Sequence, residues 1–119
     1  MENQESGQLT NTPSVNRRNF PRVQVSFDVD VRVEHAGQAR TVGGRLVVLG
    51  AGGAFLELDD AYPIGSLMHA RFELPALGEI GCQAIVRNAI VGTGVGVEFL
   101  NIEGVEHRRI VAFVTKHQA

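Results

Sequence analysis

The eleven residues from Val23 to Val33 constrain this chain more than any other stretch. Val23, Val25, Phe27, Val29, Val31 and Val33 alternate with Gln24, Ser26, Asp28, Asp30 and Arg32. A strict period of two over that length does not fit a helix face, and β-branched valines suit pleated backbone. The stretch is therefore a strand with one dry face and one wet face.

The segments that follow read the same way. His35-Ala36-Gly37-Gln38 is a turn, with Gly37 available for φ > 0. A second strand runs from Ala39 to about Leu49, loosened by Gly43-Gly44. Its end, Leu46-Val47-Val48-Leu49, is apolar on both faces and predicts cover on both sides. After Gly50-Ala51-Gly52-Gly53, Ala54 to Leu58 forms a third strand, and Asp59 to Gly65 is a turn-rich connection. Met68, Ala70, Phe72 and Leu74 alternate with charged residues as strand four. Ile80 to Ile90 is strand five, and Val95, Val97 and Phe99 mark strand six beyond a Gly92-Thr93-Gly94 loop.

The period then changes. Ile102, Val105, Ile110, Phe113, Val114 and His117 fall at helical spacing. Asn101 is the expected N-cap, and Glu103 and Glu106 favour the positive end of the helix dipole. The apolar stripe predicts docking on an open end of the β-structure. The fold expected is β-dominated: a six-stranded antiparallel barrel with one C-terminal α-helix as a lid. Residues 16–119 form its single domain. Residues 1–15, rich in Gln, Asn, Ser and Thr, predict a disordered tail.

Composition narrows the function. A domain of 119 residues buries enough surface for a core without staples. The one cysteine, Cys82, sits among apolar residues and reads as a buried thiol. No apolar run reaches the ~18 to 20 residues that span a bilayer, and the N-terminus lacks a signal segment. The expectation is a cytoplasmic protein without membrane insertion. A formal net charge of -2 argues against binding a nucleic-acid polymer. Gly92-Thr93-Gly94-Val95-Gly96 precedes a strand where a dinucleotide loop needs a helix, and Gly50 to Gly53 lacks a P-loop ending. The four histidines never pair at metal-ligand spacing. No serine, cysteine or lysine has an evident base, so no enzyme, cofactor or metal is expected.

Against that acidic background, Asn16-Arg17-Arg18-Asn19-Phe20-Pro21-Arg22 stands out. A guanidinium fork fits a phosphate or the acceptor edge of guanine, and its plane stacks on bases. Pro21 holds its neighbour Phe20 extended, so Arg18 and Arg22 do not share a helix face. Spacing alone fits either a ligand-binding arm or a solvated linker.

With the strands placed, the chain resembles a PilZ domain over roughly residues 17 to 116. The matching pieces are Arg18-Asn19-Phe20-Pro21-Arg22 as an Arg-x-x-x-Arg arm, Gly53-Ala54-Phe55-Leu56, and the Pro63-Ile64-Gly65 turn. Gly94-Val95-Gly96-Val97-Glu98-Phe99 and the closing helix complete the set. The resemblance implies a bacterial receptor for the second messenger cyclic di-GMP, with Arg17, Arg18, Arg22, Gly50 and Gly53 at the ligand and a protein partner of unknown identity. The family's second signature, Asp or Asn, x, Ser, x, x, Gly, is matched here only at Gly53. Val48 stands in place of the acid or amide and Gly50 in place of the serine. Two lost polar pairs weaken binding by roughly a hundredfold to ten-thousandfold. Arg45 is an auxiliary candidate that could compensate, and Val48 marks the position where it would have to. The alternative is a PilZ adaptor that recognises a protein and no longer binds the nucleotide.

Overall fold

The computed structural model describes residues 21–35 and 37–118. The expected tail, Arg17 and Arg18 lie outside these residues. Six strands and one helix follow in order: β1 Arg22–His35, β2 Gln38–Gly50, β3 Gly53–Glu57, β4 Leu67–Leu74, β5 Gly78–Ile90, β6 Gly94–Leu100 and α1 Gly104–His117. Every strand pair is antiparallel, and the ring closes in the order β1-β2-β3-β6-β5-β4. Two three-stranded meanders thus join at two seams, β1 with β4 and β3 with β6. Among the described residues, closure gives every strand a hydrogen-bonded neighbour on each side.

The alternation that predicted β1 fills the interior. Val29, Val31 and Val33 are at most 1% exposed, while Asp28, Asp30 and Arg32 face water. On β4, Met68, Ala70, Phe72 and Leu74 point inward without exception. The Leu46–Leu49 run departs from the expectation of cover on both sides. Leu46 and Leu49 are fully buried, whereas Val47 and Val48 are half-buried. Register against β3 shifts between Leu46 and Val48, making Val47 an extra residue. Two leucines three positions apart can then share the inner face.

Asn101 is not the N-cap. It adopts φ 57 just after β6, a conformation asparagine tolerates better than most residues, and the helix begins at Gly104 behind Glu103. Neither is α1 only a lid. The β5–β6 ladder stops at Gln83 and Leu100, and beyond that point α1 serves the β5 backbone. The Gly81 amide donates to Glu106 Oε2 at 2.9 Å, and Arg109 donates to the Glu79 carbonyl at 3.3 Å. Two side chains one helical turn apart therefore replace a missing strand. Ile110, Phe113 and Val114 bury the apolar stripe. The Phe113 ring meets Phe27 edge-on at 5.6 Å and stacks on His117 at 4.1 Å. His117 Nδ1 lies 2.9 Å from the Phe113 carbonyl, where its N–H tautomer donates to the C=O one turn back.

Cys82 is 6% exposed on the inner face. Burial, with a smaller contribution from the Glu106 carboxylate, pushes its thiol up to about 12. A thiol reagent at pH 8 is therefore expected to modify Cys82 at full rate only after denaturant is added; equal rates with and without denaturant would contradict its burial. Glu106→Ala leaves the Gly81 amide without its acceptor and should lower unfolding free energy by roughly 1–3 kcal/mol in urea titrations, most of it recovered in Glu106→Gln.

Candidate functional site

The arginine arm ends where β1 begins, and β1 register carries its last cation to the β2–β3 turn. Arg22 pairs directly with Gly50. A Cβ placed on Gly50 would lie 3.0 Å from Arg22 Cγ and 3.3 Å from the Pro21 carbonyl. Gly50 is buried beneath that contact, and its φ is not left-handed, so the glycine answers crowding and not turn geometry.

Gly53 is required for a different reason. It opens β3, sits opposite Glu98 on β6, and any Cβ there would run into the Val97 carbonyl. The Gly52 carbonyl accepts from the Phe99 amide at 2.9 Å, extending the seam by one more bond. The glycine at the end of the family signature is thus a point of close backbone approach where β3 meets β6.

Cross-strand partners share a face, and the registers lay out two rows on the outer surface. One runs Gln24, Val48, Phe55, Gly96, Asn88 across β1, β2, β3, β6 and β5. The other pairs Arg22 with Gly50 and then continues Gly53, Glu98, Ile85, Leu67. Val48 faces outward between Gln24 and Phe55, so the family signature's acid or amide position falls on the outer wall. Phe55 and Asn88 fill space cleared by glycines: a Cβ on Gly94 would sit 3.0 Å from Phe55 Cε2, and one on Gly96 would sit 2.6 Å from Asn88 Oδ1. Glu98 accepts from Arg87 Nε at 2.7 Å, and both side chains are about half exposed.

Arg45 is placed elsewhere. It faces its cross-strand partner Asp28 at 3.3 Å and donates to Ser26 Oγ at 3.0 Å. It lies five positions along the strand from Gly50, roughly 16 Å. There it lines an open groove of about 560 Å³ with Gly44, Glu57, Leu58, Asp59, Gly92 and Thr93. That groove is polar, lies at the opposite end of the barrel wall from Gly50, and contains none of the other candidate residues. The sequence motifs assign no ligand role to Phe55, Asn88, Arg87 or Glu98. Alternation put Glu98 on a wet face, but its neighbour Gly53 is set by barrel closure, which local pattern does not report.

The family model of the PilZ domain matches residues 16–116. The chain belongs to the PilZ domain family. Solved PilZ structures share its fold. The PilZ domain with c-di-GMP of YcgR from Escherichia coli superposes with a TM-score of 0.63 at 18% identity, covering 85% of this chain and 91% of that one. The Bacillus subtilis inhibitor of motility MotI (DgrA) gives 0.66 at 17%, covering 84% of this chain and 50% of that one. The MrkH–c-di-GMP complex of K. pneumoniae gives 0.66 at 20%, covering 84% and 52%. The chain spans about half the length of the latter two. No curated protein matches it. Among the described residues, no helix is long and apolar enough to cross a membrane, and no group of His, Cys, Asp and Glu is arranged to hold a metal.

Two glycines of the turn separate cleanly by experiment. Gly53→Ala drives a methyl into the Val97 carbonyl and should cost about 1–3 kcal/mol or more. Gly52→Ala meets nothing within 4 Å and should leave the melting temperature nearly unchanged. A comparison of the two melting curves checks both.

Proposed function

We propose that this chain is a cyclic di-GMP receptor that holds the nucleotide on the outer barrel wall, where β1 meets the β2–β3 turn. One juxtaposition carries the reading: the last arginine of the arm lies opposite Gly50, against the turn that ends in Gly53. Arg18 lies four residues upstream, within roughly 14 Å of extended chain, so Arg17 and Arg18 can reach the same surface. Guanidinium forks there would take the two phosphates, and the Val48–Phe55 surface would support a base. Nucleotide occupancy would order the arm and change the surface offered to a protein partner. We place this activity in the cytoplasm, where a nucleotide second messenger is met. The domain would comprise residues 16–119, with residues 1–15 outside it.

Calorimetric titration with cyclic di-GMP tests the reading. The wild-type protein should bind saturably, and Arg22→Ala should lose at least tenfold in affinity with a melting temperature within about a degree or two, because its side chain is exposed. No heat from the wild type up to millimolar ligand would overturn the receptor reading and leave a protein adaptor that does without the nucleotide.

Val48→Asp restores the absent acceptor on an outward position and should tighten binding about tenfold in the same titration. The variant leaves Gly50 alone, since a serine Cβ there would press on Arg22 Cγ. Unchanged affinity in Val48→Asp would show that the valine is not what limits binding.

A further inference from the structure

We propose that Glu98 reads the guanine edge of the ligand in this chain, supplying the carboxylate that β2 lacks at Val48; the inference rests on the receptor reading above. A guanine presents N1–H and N2–H as adjacent donors on its pairing edge, and a carboxylate accepts from both. Valine at position 48 accepts from neither. Among the described residues, the outer surface next to the turn carries one carboxylate placed for the task.

Glu98 stands in register with Gly53, which has no side chain to cover it. Its other cross-strand neighbour, Ile85, is apolar and cannot compete for it. Arg87 is the extra residue where β5 register shifts between Val86 and Asn88. From there its Nε engages Glu98 Oε1 at 2.7 Å. That bond fixes the carboxylate, and at about 51% exposure the group remains open to a ligand. The other acids on this wall are distant from the turn: Asp28 lies across from Arg45, and Glu57 and Asp59 line the groove at the far end. Asn88 shares the outer surface, but its amide already covers Gly96.

The charge also predicts selectivity. Adenine offers an acceptor, N1, where guanine offers a donor, so a carboxylate rejects adenine and accepts guanine. An amide at the same place both donates and accepts, and loses that discrimination.

The test compares cyclic di-GMP with cyclic di-AMP on the wild type and on Glu98→Gln by equilibrium titration. Removing an exposed ion pair should barely move the melting temperature, so the variant remains folded. The wild type should prefer the guanine ligand at least tenfold. Glu98→Gln should weaken cyclic di-GMP by roughly ten- to a hundredfold and bring the two ligands within a few-fold of each other. Arg22→Ala should weaken both ligands alike and keep their ratio. Unchanged affinity and preference in Glu98→Gln, beside a wild type that binds, would overturn the role of Glu98 and leave the receptor standing. A wild type that binds neither ligand would overturn both.

Discussion

The close approach of β3 and β6 is the constraint on which the rest of the molecule depends. β3 has five residues, yet it pairs with β2 along one edge and β6 along the other, and so joins the two meanders. The backbones come near enough there to exclude Cβ atoms: Gly53 lies against the Val97 carbonyl, and Gly94 against the Leu56 carbonyl. A strand this short offers few ladder bonds, so tight contact along its length is what holds the seam. Side chains on either member would push the strands apart, open the ladder and expose the interior beneath Leu56, Val95 and Val97.

Closure also creates the proposed ligand surface. Arg22, Val48, Gly50, Gly53 and Phe55 come from the first meander, while Glu98, Arg87 and Asn88 come from the second. Nothing but the β3–β6 seam makes them neighbours. Strands hold side chains at fixed spacing on a packed wall, so the positions are set by the core and not by loop conformation. Where β6 ends at Leu100, α1 solves a related problem. β5 extends past β6, and Glu106 and Arg109 satisfy backbone groups that a longer β6 would have taken.

The elements were largely legible in the sequence because a barrel wall that is wet outside and dry inside writes a period of two into its strands. β1 and β4 carry that pattern without interruption, and the observed bounds fall within two residues of those expected. Legibility failed where the period slips. Leu46 to Leu49 looked apolar on both faces because the bulge at Val47 puts two leucines three apart on one side. Asn101 looked like a helix cap because a cap and a left-handed turn favour the same residue types. The candidate site was legible only in part. The arginine arm and Gly53 show in the sequence, but the Arg22–Gly50 and Gly53–Glu98 registers are products of pairing. Arg45, near in sequence, turns away because Asp28 lies directly across from it.

A nucleotide on an open wall divides recognition between two kinds of contact. Arginine forks on phosphates supply much of the attraction but are indifferent to the base. Identity has to come from groups aimed at the base edge, and on this wall the β2 side contributes Val48, which offers only surface. An apolar position flanked by Phe55 is well suited to support a base from below and unsuited to tell one base from another. In the proposed complex, discrimination shifts across the seam to β6, where Arg87 holds the Glu98 carboxylate in place. In that arrangement attraction and identity reside on different meanders, and the glycines that close the barrel bring the two together.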